Sequence, residues 1–239
     1  MTLSFSDDLS GSMVQLVFPQ RICLACGSPV SQPGICDACA QKAISMPRCR
    51  HCAAFVLDEN ELCPSCLDGH NHYFTFARAV YPYEDRMRDW IQAFKYYNKT
   101  YLRRPFAAML FDGYQLYFAD KEIDLIVPVP LSSGRLKERG YNQSALCAQL
   151  LAKRLKIPYT EKGLLRVKET VALAELSAKE RRSCLRDAFS TSWTGLQGKT
   201  VLLIDDIFTT GATASTCAKE LLDQGAKTIY VLTITAVVI

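Results

Sequence analysis

Long apolar runs are missing from this chain. None approaches the ~20 residues that a helix needs to cross a bilayer, which excludes a helical membrane-spanning protein. No secretory leader is expected either. The short apolar patch from Met13 to Phe18 is interrupted by Gln15 and follows Asp7 and Asp8 instead of a basic region. The expectation is a cytoplasmic protein with no membrane insertion. A complete P-loop is also absent. Gly198-Lys199-Thr200 matches the end of that motif, but Trp193 stands where its first glycine belongs, and the triplet precedes a strand instead of following one. Histidine is scarce: the chain has 3, His51, His70 and His72, all beside a cysteine cluster that does not need them.

What remains is ordinary globular material with two unusual features. The 239 residues are 49% hydrophobic and 22% charged, enough for one good-sized domain and a small one. The net charge of +4 is uneven. Residues 1–72 carry 4 basic and 7 acidic residues, a balance of −3, which leaves +7 for the remainder. A polyanion would be drawn to the C-terminal part.

The first feature is a run of eight cysteines in four CxxC pairs: Cys23 and Cys26, Cys36 and Cys39, Cys49 and Cys52, Cys63 and Cys66. Gaps of nine, nine and ten residues separate them. Each pair offers two thiolates to one tetrahedral zinc, and eight thiolates suit two structural sites. A disulfide framework needs an oxidising compartment, against which the N-terminus argues. A redox CxxC would need one pair at a helix start, not four in Gly/Pro-rich sequence. Sequential pairing, as in a double zinc ribbon, is the simplest; crossed pairing stays open. Eight cysteines complete two sites, so the three histidines read as non-ligands. About 45 residues cannot bury much core, so the metals should supply the fold. The division is a lead at 1–22, a double zinc ribbon at 23–68 and a larger domain at 73–239.

In the larger domain apolar strands alternate with amphipathic helices. Strands are expected at Phe76 to Tyr83, Ile123 to Val129, Leu164 to Val167, Val201 to Ile204 and Thr228 to Thr235. Helices are expected around Met87 to Phe94, over Leu102 to Phe118, after Gln143, and from the capping box Ser177 to Glu180 as far as about Phe189. Such alternation implies an α/β fold, a mainly parallel sheet with helices on both faces, whose ligands sit beyond the carboxyl ends of the strands.

The second feature lies at one such end. Val201-Leu202-Leu203-Ile204 runs into Asp205-Asp206, then into the loop Thr209-Thr210-Gly211-Ala212-Thr213. A helix follows with Ala214, Cys217, Ala218, Leu221 and Leu222 on one face. Backbone N–H groups at a helix N-terminus hold phosphate, and glycine lets the backbone approach. Two carboxylates would repel a phosphate but suit the hydroxyls of a neighbouring sugar. The loop reads as a ribose 5-phosphate cradle; the plainer alternative is a strand-to-helix turn with a threonine cap. A second strand-loop-helix unit carries Arg135, Lys137 and Arg139, either a site for a second anion group or solvent-facing charge. Residues Arg86 to Arg104 hold six basic residues against Asp89 alone, with Trp90, Tyr96, Tyr97 and Tyr101 interleaved. Trp90 lies on the apolar stripe, which favours a solvated helix face; a grip on single-stranded nucleic acid through Lys95, Arg103 and Arg104 is the alternative.

The unit from Val201 to Thr213 resembles the phosphoribosyl pyrophosphate (PRPP) signature of type I phosphoribosyltransferases. The resemblance implies that Asp205 and Asp206 contact ribose hydroxyls, that Thr209, Thr210, Gly211, Ala212 and Thr213 hold the 5′-phosphate, and that PRPP binds with Mg²⁺. The full order of cysteine knuckles, Phe94-Lys95-Tyr96, Val127-Pro128-Val129-Pro130, Arg139-Gly140-Tyr141-Asn142-Gln143 and the PRPP signature resembles the ComF family, from about Cys23 to Ile239. That resemblance implies a role in natural transformation, in handling incoming single-stranded DNA, with DNA-uptake or recombination proteins as partners. The chain departs from the family pattern at Leu173 and Cys184, where a Gln and an Asn are expected, near a segment that in relatives closes over pyrophosphate. Two functions fit: a phosphoribosyltransferase with a small-molecule acceptor, in which Arg135 and Arg139 stabilise the leaving pyrophosphate and Asp205 and Asp206 hold the ribose, or a PRPP-binding adaptor for DNA.

Overall fold

Parallel strands need long crossovers, and the chain supplies helical ones. In a computed structural model of the protein, the described residues are 22–58, 62–67, 72–168, 185, 187–191 and 193–239. Four strands, β1 (Phe76–Pro82), β2 (Leu125–Pro128), β5 (Thr200–Phe208) and β6 (Thr228–Ala236), form one sheet in the order β1-β6-β5-β2. Every pairing in it is parallel. Strand β5 is central: Leu202 lies opposite Ile126 on one side and Tyr230 on the other. A short antiparallel pair, β3 (Leu165–Arg166) and β4 (Phe189–Ser190), stands apart.

Alternation along the strands sends side chains to two faces. Leu202, Ile204, Leu232 and Ile234 point to the first. There they meet Met87, Ile91 and Phe94 of α3 (Asp85–Tyr96), Phe106 and Leu110 of α4 (Arg103–Tyr117), and Cys147 and Leu151 of α6 (Gln143–Leu155). Met87, Ile91 and Phe94 recur at i, i+4 and i+7, the helical stripe that the sequence predicts. Asn142 starts α6: its side chain accepts from the N–H groups of Ser144 and Ala145, at 3.0 and 3.3 Å. Such caps are worth about 1 kcal/mol. The preceding α5 (Ser133–Arg139) ends at Gly140, whose φ of +77° is open to glycine at little cost.

Val201, Leu203, Ile229 and Val231 point to the second face. Only one long helix among the described residues covers it, α7 (Ala212–Asp223), through Ala214, Cys217, Ala218 and Leu221. The rest of the cover comes from the cysteine-rich segment. Cys49, Cys52, Cys63 and Phe55 belong to the same buried cluster as the sheet residues. Phe55 bridges to Val238: its N–H donates to Val237 at 3.1 Å, and Ile239 donates back to Phe55 at 2.9 Å.

The first four cysteines lie elsewhere. Leu24 is buried in the α3, α4 and α6 cluster, and Ile35 packs against it. The two cysteine modules therefore straddle the sheet, one to each face. Arg48 links them. It donates to the carbonyls of Ala43, Ile44 and Met46 at the C-terminal end of α1 (Asp37–Ser45), and its guanidinium lies 4.7 Å from the Phe55 ring centroid.

The expected strands, and the expected helices other than the one from Ser177, are recovered with shifted ends. Strand Ile123 to Val129 contracts to β2, and the helix expected from Leu102 starts at Arg103 after a 3-10 turn, Thr100–Leu102. Phe189, expected at a helix end, is in β4, where it pairs with Arg166. The capping box at Ser177 and Glu180, and the departures at Leu173 and Cys184, lie outside the described residues. No described helix is long and apolar enough to cross a membrane.

Candidate functional site

Two metal centres are defined by sulfur geometry. The sulfurs of Cys23, Cys26, Cys36 and Cys39 all lie within 4.8 Å of one another, as do those of Cys49, Cys52, Cys63 and Cys66. Zn–S bonds of about 2.3 Å in a tetrahedron place sulfurs roughly 3.8 Å apart. Cys26 and Cys36 are 3.8 Å apart, and Cys52 and Cys63 are 3.5 Å apart. Pairing is thus sequential. The Cys23 sulfur also accepts from the N–H groups of Cys36 (3.2 Å) and Cys26 (3.5 Å), contacts that favour a thiolate ligand. All four cysteines of the second site are buried, whereas Cys26 of the first is exposed. Neither His51 nor His72 belongs to either group; His70 lies outside the described residues.

The second concentration of chemistry is at the carboxyl end of β5. Asp206 is 3% exposed, and its Oδ1 lies 2.9 Å from the Lys95 ammonium, at the end of α3. Its Oδ2 is buried and accepts no hydrogen bond among the described residues. The Thr235 hydroxyl donates to the Asp206 carbonyl at 3.0 Å, which fixes the strand end. Asp205 is bound differently. Its Oδ1 accepts from the Ser144 hydroxyl and from the N–H of Asp206, both at 2.9 Å. Lys95 is committed to Asp206, so Asp205 has no cation of its own among the described ion pairs. Burial, reinforced by the Asp206 charge, pushes its carboxyl up to about 7 despite Lys95.

The loop that follows turns sharply. Gly211 has φ of +74° and precedes α7 directly. Thr210 Oγ1 accepts from the Ala212 N–H at 3.4 Å. Asp205, Phe208, Thr209, Gly211, Thr213 and Thr233 line a small cavity. Helix α7 points its N-terminus into this region, a favourable end for an anion.

The Arg139 to Gln143 block closes the site from the β2 side. The Asn142 amide donates to Val129 at 3.0 Å, and Tyr141 donates to the Phe94 carbonyl, one residue from Lys95. Arg139 donates to Gln143 Oε1 at 3.0 Å and lies over Tyr96 at 4.8 Å. Among the described residues no hydrogen bond or ion pair joins Arg135 or Arg139 to Asp205 or Asp206. Both arginines are half-buried on or beside α5.

The basic segment divides. Arg103 and Arg104 are exposed, with Tyr97 69% and Tyr96 62% exposed nearby in the chain. Lys95, grouped with them on sequence, is not a surface cation: its side chain is 16% exposed and held by Asp206. Ser144 was not a candidate on sequence. Its place in the first turn of α6, directly after the basic loop, is the only local signal for it.

A four-stranded parallel sheet, with Asp205 and Asp206 at the end of β5 and a Thr/Gly loop opening α7, defines an α/β domain, and two four-cysteine zinc centres are packed on it. The double zinc ribbon domain family matches residues 13–67. Competence protein F of Haemophilus influenzae is 32% identical over 84% of this chain and 90% of its own. Competence protein ComFC of Bacillus subtilis is 28% identical over 92% of this chain and 86% of its own. The DNA utilization protein YhgH of Salmonella typhimurium is 29% identical over 88% and 94%. The chain belongs to the ComF family of competence proteins.

The raised Asp205 carboxyl sets a pH signature. An unfolded Asp releases its proton near 4, whereas folded Asp205 keeps it up to about 7. Its contribution to stability is complete below the lower value and is lost as pH rises through the upper one. Asp205→Asn, neutral throughout, should therefore gain stability relative to wild type between about pH 6 and about pH 8 in urea unfolding of the zinc-loaded protein. A relative stability that stays flat or falls over that interval contradicts the assignment.

Proposed function

We propose that the chain binds PRPP with Mg²⁺ at the Asp205-Asp206 strand end and acts in the cytoplasm on incoming single-stranded DNA during natural transformation. One observation carries the ligand reading: Asp206 holds a buried carboxylate oxygen without a hydrogen-bond donor among the described residues, and its neighbour Asp205 lines the small cavity at the glycine loop. A buried acceptor left unsatisfied costs about 1–3 kcal/mol or more if charged. The hydroxyls of a ribose ring supply the missing donor. The Thr209 to Thr213 loop and the start of α7 suit the 5′-phosphate. Mg²⁺ favours phosphate and water oxygens and rarely needs a full protein cage, so PRPP would bring most of its ligands. Arg135 and Arg139, on the helix that leads into the Asn142 turn, would neutralise pyrophosphate. Their absence from the carboxylate network supports binding more strongly than turnover. The DNA role is supported by the names of the relatives, competence proteins and a DNA utilization protein, and by the exposed arginines that open α4.

Calorimetry with Mg²⁺ and PRPP tests the first half. Hydrogen bonds to a charged acceptor are worth ~1.5–3 kcal/mol, so Asp206→Ala should weaken binding roughly ten- to a hundredfold. Gly211→Val should do more harm, because a Cβ there lies 2.6 Å from the Phe208 ring and φ is +74°. Wild type giving no heat, or Asp206→Ala binding as tightly as wild type, refutes the reading.

The second half predicts a salt-sensitive contact at α4. Arg103→Ala combined with Arg104→Ala should weaken single-stranded DNA binding uniformly across sequences and reduce the slope of log affinity against log salt by about 1–2. Unchanged affinity and slope would move the DNA interface elsewhere on the protein.

A further inference from the structure

The ligand loop is held from behind by the second zinc module. Phe208 ends β5, and its ring and that of His72 both press on Gly211: a Cβ added there would meet Phe208 at 2.6 Å and His72 at 2.8 Å. His72 stacks on Phe74 with centroids 4.6 Å apart and planes 12° apart, and Phe74 meets Phe208 edge-on at 6.0 Å. On its far side His72 meets His51 edge-on at 5.7 Å. His51 lies inside the knuckle between Cys49 and Cys52. The next residue, Tyr73, is latched to the ligand helix, its N–H donating to Ser215 Oγ at 3.1 Å.

A second connection runs through the backbone. Cys49 donates to Ala54 at 2.9 Å and closes the knuckle turn. Phe55 then donates to Val237 at 3.1 Å, and Val237 donates to Phe208 at 3.0 Å. The chain from a zinc knuckle to the residue that starts the loop is therefore unbroken on two independent routes. Among the described residues the first module meets these routes only at one remove, through Arg48 between the α1 carbonyls and the Phe55 ring, and it packs on the opposite face of the sheet.

We infer that His72 is a positioning residue for the Thr209 to Thr213 loop, and that zinc in the Cys49, Cys52, Cys63 and Cys66 site holds His72 and Phe208 in place. The first zinc site serves the other face and leaves the loop alone. Rings clamped on a left-handed glycine limit the loop to one arrangement. Whatever anion the loop takes, the ordering cost is then met by metal binding in advance, so zinc retention at the second site and anion affinity rise together. Only the anion's identity rests on the PRPP reading; the mechanical coupling does not.

Hydrogen exchange of the full-length, zinc-loaded protein without ligand is the test, read on peptides spanning residues 208–215. His72→Ala should raise exchange there by about tenfold or more, while peptides from β2 and α6 stay protected and two zinc ions are retained. His72→Phe keeps the stacked ring and should restore protection. Cys63→Ser, which empties the second site, should loosen the same peptides, and Cys26→Ser, at the first site, should not. If Cys63→Ser fails to fold, the His72 pair decides alone. Unchanged exchange in His72→Ala, or equal loosening by Cys26→Ser, overturns the inference. A wild type that binds no PRPP would refute the ligand reading but leaves this result intact, because the exchange experiment uses no ligand.

Discussion

Two carboxylates stand side by side at the end of a parallel strand, and the one lysine there pairs with only Asp206. That constraint organises the site. Lys95 reaches Asp206 only if α3 ends where it does, and Tyr141 holds that end through the Phe94 carbonyl. Asp205, left without a cation, needs the Ser144 hydroxyl, which requires α6 to begin at Gln143 under its Asn142 cap. Three segments far apart in sequence are drawn to one strand end by the same uncompensated charge. Removing one partner of a buried ion pair typically costs about 3–5 kcal/mol, so the arrangement is held firmly. It is nevertheless incomplete, because one Asp206 oxygen stays buried without a donor.

The zinc centres answer a different need. A sheet of four strands requires cover on both faces, and the second face has only α7 among its longer described helices. The second cysteine module fills that gap, with Cys49, Cys52 and Cys63 among the buried residues of the same cluster. Four thiolates in apolar surroundings are costly unless a divalent cation takes their charge, so metal and core are interdependent there. The first module, with Cys26 exposed, packs only its flank, through Leu24 and Ile35, against the helices of the first face.

Much of this was legible in the chain. The four CxxC pairs specified two four-sulfur sites, and the apolar run into Asp205-Asp206 specified a strand end, because both signals are local in sequence. The position of Lys95 was misread. Counting charge placed it with Arg103 and Arg104 on a solvated face. Helical phase accounts for its place: it follows Ile91 by four residues, on the flank of the buried stripe. His72 lies outside both cysteine groups, and its contact with Gly211 joins residues 139 positions apart, for which no spacing rule exists. Ser144 was invisible for the same reason. The cysteine segment read as a separate small domain because composition changes at Tyr73, while its packing depends on Phe55 finding Val238 at the far end of the chain.

The proposed recognition of a sugar by the carboxylate pair separates from phosphate capture in one comparison. Ribose 5-phosphate and 2-deoxyribose 5-phosphate present the same phosphate to the loop and differ by one hydroxyl at the Asp pair. Titrated calorimetrically into the zinc-loaded protein with Mg²⁺, the ribose compound should bind about tenfold tighter or better, the worth of a hydrogen bond to a charged acceptor. Equal affinities would mean that Asp205 and Asp206 serve the fold and not the ligand.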